Sequence, residues 1–107
     1  MPENTQPEPK DIQDLLQYQE GAVVSSTLIQ KKTGTLTLFA FDAGEGLSEH
    51  TSPYEAIVQM IEGTMTITIS GKEYTVSTGQ MLTLPADEPH ALDAEEPCKM
   101  LLFMVRS

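Results

Sequence analysis

The stretch TMTITISGKEYTV, residues 64–76, constrains the fold more than any other part of the chain. Met65, Ile67 and Ile69 alternate with threonines until Ser70, Gly71 and Lys72 turn the chain back towards Tyr74 and Val76. A period of two places one set of side chains on a dry face and the other on a wet face, which is the pattern of a half-buried hairpin rather than a helix. Runs of the same kind surround it. AVVSSTLIQ (22–30) and TLTLFAFD (35–42) read as strands joined by a turn at 31–34, MLTLP as a short strand ended by Pro85, and HALDA as a strand starting at His90. Apolar residues on both faces near 38–41, and consecutively in KMLLFMVR (99–106), predict strands covered on both sides. About eight short strands with hardly any helix predict a closed barrel or a two-sheet roll.

A length of 107 residues suits one domain, placed at 12–107. Residues 1–11, with three prolines and no large apolar side chain after Met1, read as a flexible N-terminal tail. DIQDLLQYQ (11–19) spaces Ile12, Leu15 and Leu16 at three and four residues, which predicts about two helical turns. Acidic residues outnumber basic ones 16 to 6, for a net charge of -10. That field repels phosphate backbones and anionic headgroups, so neither nucleic acid nor a membrane is expected as a partner. No apolar run approaches the roughly 18 residues of a membrane span, and the expected location is cytoplasmic. A single cysteine, Cys98, excludes a disulfide framework and reads as a small buried hydrophobe.

The chemistry-bearing stretch is GEGLSEHTSPYEAIVQMIEG (44–63). It presents His50 and Ser52 two residues apart, and Ser52, Ala56, Val58 and Met60 are expected on one strand face. The second histidine of the chain, His90, follows the proline-containing turn ADEP. No Ser-His-Asp order, glycine-rich phosphate loop or Cys-His pair accompanies them, so no catalytic residue is assigned.

Gly44, His50 and Gly63, followed by Gly79, Pro85 and His90, stand at the spacings of the two motifs of the cupins, and the chain resembles a small single-domain cupin of the cupin 2 conserved-barrel type over about residues 35–106. The resemblance implies an all-β double-stranded β-helix, a jelly-roll barrel. Similar cupins hold a divalent metal with three histidines and a glutamate. In this chain Ser52 and Ala56 replace a histidine and the glutamate, Glu55 is one residue out of register, and Asp87 and Ala94 replace a glycine and an asparagine. His50 and His90 therefore remain as candidate metal ligands for iron, manganese, nickel or zinc, expected within about 5 Å of each other. His50, Ser52, Tyr54, Ala56, Val58, Met60 and His90 are the candidate ligand-binding residues, with a small molecule in the barrel mouth as the expected partner. The alternatives are a metal-dependent enzyme of oxygenase or isomerase type, and an interaction module whose pocket is packed shut. The resemblance also implies a homodimer, formed through Val23, Val24, Ile57 and Ile61.

Overall fold

The structure, a computed structural model, describes residues 7–106. The first six residues of the expected tail lie outside this range; residues 7–11 run exposed and without regular structure. Nine strands follow among the described residues: β1 (Val23–Lys31), β2 (Gly34–Phe41), β3 (Gly46–His50), β4 (Glu55–Glu62), β5 (Thr64–Ile69), β6 (Lys72–Ser77), β7 (Met81–Leu84), β8 (His90–Asp93) and β9 (Cys98–Val105). They form two antiparallel sheets, one ordered β1-β2-β9-β4-β7 and the other β3-β8-β5-β6, packed as a jelly-roll barrel.

Register decides what lies between the sheets, because strand partners share a face. In the five-stranded sheet Phe41 opposes Cys98, Phe39 opposes Met100, and Met60, Val58 and Ala56 oppose Met100, Leu102 and Met104. In the four-stranded sheet Ile67 opposes Leu92 and Tyr74, and Met65 opposes Val76. These two sets form the core, with Phe41, Val58, Met65, Ile67, Cys98 and Met100 fully buried. Burial, with Glu96 nearby, pushes the Cys98 thiol up to about 11, so it packs as an inert apolar group.

The β5–β6 hairpin turns at Ser70 and Gly71, both with positive φ (49° and 85°), as a two-residue hairpin requires if its twist is to match the strands. Gly63, at φ 84°, joins β4 to β5, and a side chain there would meet the Pro97 carbonyl at 2.8 Å. Only glycine meets both conditions at once.

The outer face of the five-stranded sheet divides into two halves. Leu38 and Ala40 point away from the barrel interior yet are fully buried, and residues preceding β1 reach this face as a strap tied to Lys99 and Glu62. Lys99, the outward neighbour of Ala40, is buried and donates from Nζ to the Gln13 carbonyl (2.5 Å); its ammonium lies 4.8 Å from the centre of the Tyr18 ring. Tyr18 in turn donates to the Glu62 carboxylate. The helix expected at 11–19 is thus reduced to one 3-10 turn, Ile12–Asp14. The Gln13 carbonyl, which a continuous helix would have paired with the Gln17 amide, accepts from Lys99 instead, and the Tyr18 hydroxyl ties the following residues to Glu62. Beyond the strap the face is open and apolar, with Ile29 51%, Phe103 47%, Val105 41% and Met81 56% exposed.

Candidate functional site

His50 ends β3 and His90 begins β8, and the two are direct strand partners on the inward face, beside Ile69, the other partner of His90. Their rings meet edge to face with centroids 4.4 Å apart, within the expected spacing. Each ring is held by the carbonyl two residues earlier: His50 Nδ1 lies 2.7 Å from the Ser48 oxygen and His90 Nδ1 3.2 Å from the Glu88 oxygen. A carbonyl only accepts, so each Nδ1 carries the proton and donates, leaving Nε2 of both rings as a free acceptor. His50 is exposed and His90 is buried at 7% exposure. Among the described residues no buried side-chain nitrogen or oxygen lacks a partner, so Nε2 of His90, which no described group meets, is open to solvent.

The other expected site residues are placed differently from one another. Ser52 is not on a strand: it lies in the connection between β3 and β4, which belong to opposite sheets, so it and Ala56 do not share a strand face. Its carbonyl accepts from Asp87 N–H (2.7 Å) and its hydroxyl from Tyr54 N–H (3.2 Å). Tyr54 is on the rim, 38% exposed, with the Arg106 guanidinium 6.0 Å from its ring centre. Ala56, Val58 and Met60 are packed within the core cluster, so that strand face offers close-packed side chains where a pocket lining is expected. A surface groove of about 340 Å³ lies between Ile29, Leu36, Phe103 and Val105 on the outer face.

Among the described residues, two imidazoles are the donor set that this site offers a metal. No group of three His, Cys, Asp or Glu side chains able to hold an ion occurs among the described residues, Ala56 offers no ligand atom, and exposed Glu55 faces away from the interior. Protein sites that retain a first-row ion supply three or four side chains, so the residues present do not fit a resident metal.

His90 has its pKa lowered from the ordinary value of 6.5, first by burial, which disfavours the imidazolium, and also by the charge of His50; the bond to the Glu88 carbonyl opposes this in part. The unfolded chain then binds more protons than the folded one just below pH 6.5. Stability is accordingly expected to be full above that pH and to decline as the pH falls from about 6.5 through the lowered value. Urea midpoints at pH 8 and pH 5 check this: His90→Gln should show a smaller drop than the native chain, and an equal drop would assign the acid sensitivity to other groups.

Sequence reasoning missed three parts of the surroundings. Arg106 approaches Tyr54 from the end of β9, Ser70 donates to the Glu88 carboxylate, and Asp87 takes φ 67° where the motif has glycine. The last was signalled by the substitution itself, since Asp is among the side chains that best tolerate left-handed backbone.

The cupin domain family model matches residues 37–105. A conserved Streptococcus pyogenes protein of unknown function has a structure similar to this chain at TM-score 0.91, with 33% identity over 95% of this chain and 90% of that one. A cupin 2 conserved barrel domain protein from Leptotrichia buccalis is similar at 38% identity and TM-score 0.84, covering 87% of this chain but 45% of that one. A cupin superfamily protein from Desulfitobacterium hafniense matches at TM-score 0.91 with 25% identity, over 95% and 94% of the two chains. No protein of curated function matches. With both motif histidines paired across β3 and β8 of a two-sheet barrel, the chain belongs to the cupin domain family.

Proposed function

We propose that the protein binds a small molecule at the barrel mouth through the Nε2 edges of His50 and His90, without a resident metal. One observation carries this reading: both Nδ1–H groups are spent on backbone carbonyls, so two acceptor atoms on neighbouring rings are left for an outside partner. A pair of neutral imidazole acceptors in a chain of net charge -10 suits a ligand that donates hydrogen bonds and is not anionic. Ser52, Tyr54 and Arg106 stand on or near the rim and would contact its far end.

NMR titration with a panel of small amines, amides, sugars and carboxylic acids tests it. A donor-bearing compound should shift the imidazole resonances of both histidines, and His50→Ala or His90→Ala should weaken its binding by about tenfold or more per lost hydrogen-bonded contact. Compounds that bind only in the Ile29–Phe103 groove, or none at the pair, would overturn the reading.

A metal-dependent enzyme is the second reading, favoured by the same held tautomers, because an imidazole whose Nδ1–H is bound to a carbonyl is oriented as metal-ligating histidines are. Stoichiometric iron, manganese, nickel or zinc in protein purified without an affinity tag would move it to first place.

We infer further that two copies pair through the outer face of the five-stranded sheet. Of the four residues expected from sequence, Val23 opposes Phe41 and packs inward, whereas Ile57 stands on the outer face beside Phe103, with Val105, Ile29 and Met81 exposed on the same face.

A further inference from the structure

We propose that Ser70 and Glu88 are positioning residues that hold His90 in its Nδ1–H form with Nε2 towards the mouth. The inference rests on the binding reading above for its purpose, although its geometry stands without it. Ser70 and Asp87 are the two non-glycine residues with left-handed backbone among those described, at φ 49° and 67°, and they bear on the same short segment. Ser70 N–H donates to the Pro89 carbonyl (2.8 Å), and its hydroxyl donates to the Glu88 carboxylate. From the other side, Asp87 N–H donates to the Ser52 carbonyl. The segment Asp87–Pro89 is thereby fastened at three points, and at its centre the Glu88 carbonyl receives the His90 Nδ1–H.

The choice of serine is informative. At the first central position of a hairpin with positive φ, glycine or asparagine is the low-energy residue. Serine forgoes that preference, and what it adds over glycine is the hydroxyl that reaches Glu88. His50 has no such fastening: Ser48, whose carbonyl holds it, lies within strand β3 and is exposed. At 3.2 Å the His90 contact is also longer than the 2.7 Å contact of His50, so its geometry depends more on where Glu88 is held.

Nitrogen NMR of the two imidazoles separates the Nδ1–H from the Nε2–H form directly. Ser70→Gly keeps the backbone preference and removes the hydroxyl. It should lower the Nδ1–H to Nε2–H ratio of His90 by roughly fivefold, the equivalent of one ordinary net hydrogen bond, while His50 stays unchanged. Ser70→Asn, which tolerates the same backbone and returns a donor, should restore the native ratio. Should glycine unfold the hairpin, Glu88→Ala removes the same contact from its other end and should shift His90 alike. An unchanged His90 ratio in both variants, or an equal shift at His50, would overturn the proposal. The readout needs no ligand, so a shifted His90 in a protein that binds nothing at the pair would sink the binding reading and leave the positioning intact.

Discussion

Replacing Ser52 by His and Ala56 by Glu together should raise zinc affinity by on the order of a thousandfold or more, because four-ligand zinc sites reach apparent binding energies of about 10–16 kcal/mol whereas two imidazoles hold an ion loosely. Ser52 follows His50 by two residues in the connection to β4, and Ala56 sits on the inward face of β4 between Leu84 and Met104. A glutamate at 56 would enter a position that is only 6% exposed and packed within the core cluster. Without metal, the buried carboxylate and the added volume should destabilise the double variant, the overpacking alone by about 1–3 kcal/mol. Zinc should then raise its melting temperature in a concentration-dependent way, since an ion that binds only the folded state stabilises it by mass action. Calorimetric titration of both proteins decides the matter. Tight one-to-one binding by the native chain, lost in His90→Ala, would reveal a third ligand and favour the enzyme reading. No gain in a folded double variant would show that the two positions do not converge on His50 and His90.

Phe103→Asp should convert the native dimer proposed here into a monomer, with the dissociation constant raised by about 30-fold to 1000-fold, the range of a central aromatic anchor worth about 2–4 kcal/mol. Phe103 stands between Leu36 of β2 and Ile57 of β4 on the outer face, half exposed, with Val105 and Ile29 nearby. A monomer seldom leaves such a cluster open, and aromatic residues are enriched at the centres of interfaces. Since the side chain is outside the core, the substitution should change the fold's stability by less than about 1 kcal/mol, so loss of the dimer would not be a symptom of unfolding. Light scattering at micromolar concentration reads the outcome, and a monomeric native protein would remove the proposal.

The strands were legible because each carries its own period. The alternation of Met65, Ile67 and Ile69 and the unbroken apolar run of β9 predict, respectively, a half-buried hairpin and a central strand, and both stand where expected. The approach of His50 to His90 was also expected, as what the resemblance to the cupins implies. What local pattern cannot carry is a contact made by residues far apart in the chain. Lys99 reads as the polar start of an apolar run, yet it is buried against a carbonyl 86 residues earlier, and that contact, with Tyr18 on Glu62, displaces the two-turn helix that the spacing of Ile12, Leu15 and Leu16 predicts. Similarly, Ala56, Val58 and Met60 share a face as expected, but only the packing of the opposite sheet shows that the space before them is filled.

The position of β9 has a consequence for how the chain is made. It is the ninth strand in sequence but the third of five in its sheet, flanked by β2 and β4. Until residues 98–105 have left the ribosome, β2 and β4 each lack that neighbour, and one edge of each is unpaired. Such a chain is committed to folding late and through non-local pairing, a regime that is slow and exposes unpaired strand edges to other nascent chains. The strap is made before β1, yet it can lock only after Lys99 is in place, so residues synthesised ahead of the strands are among the last to settle.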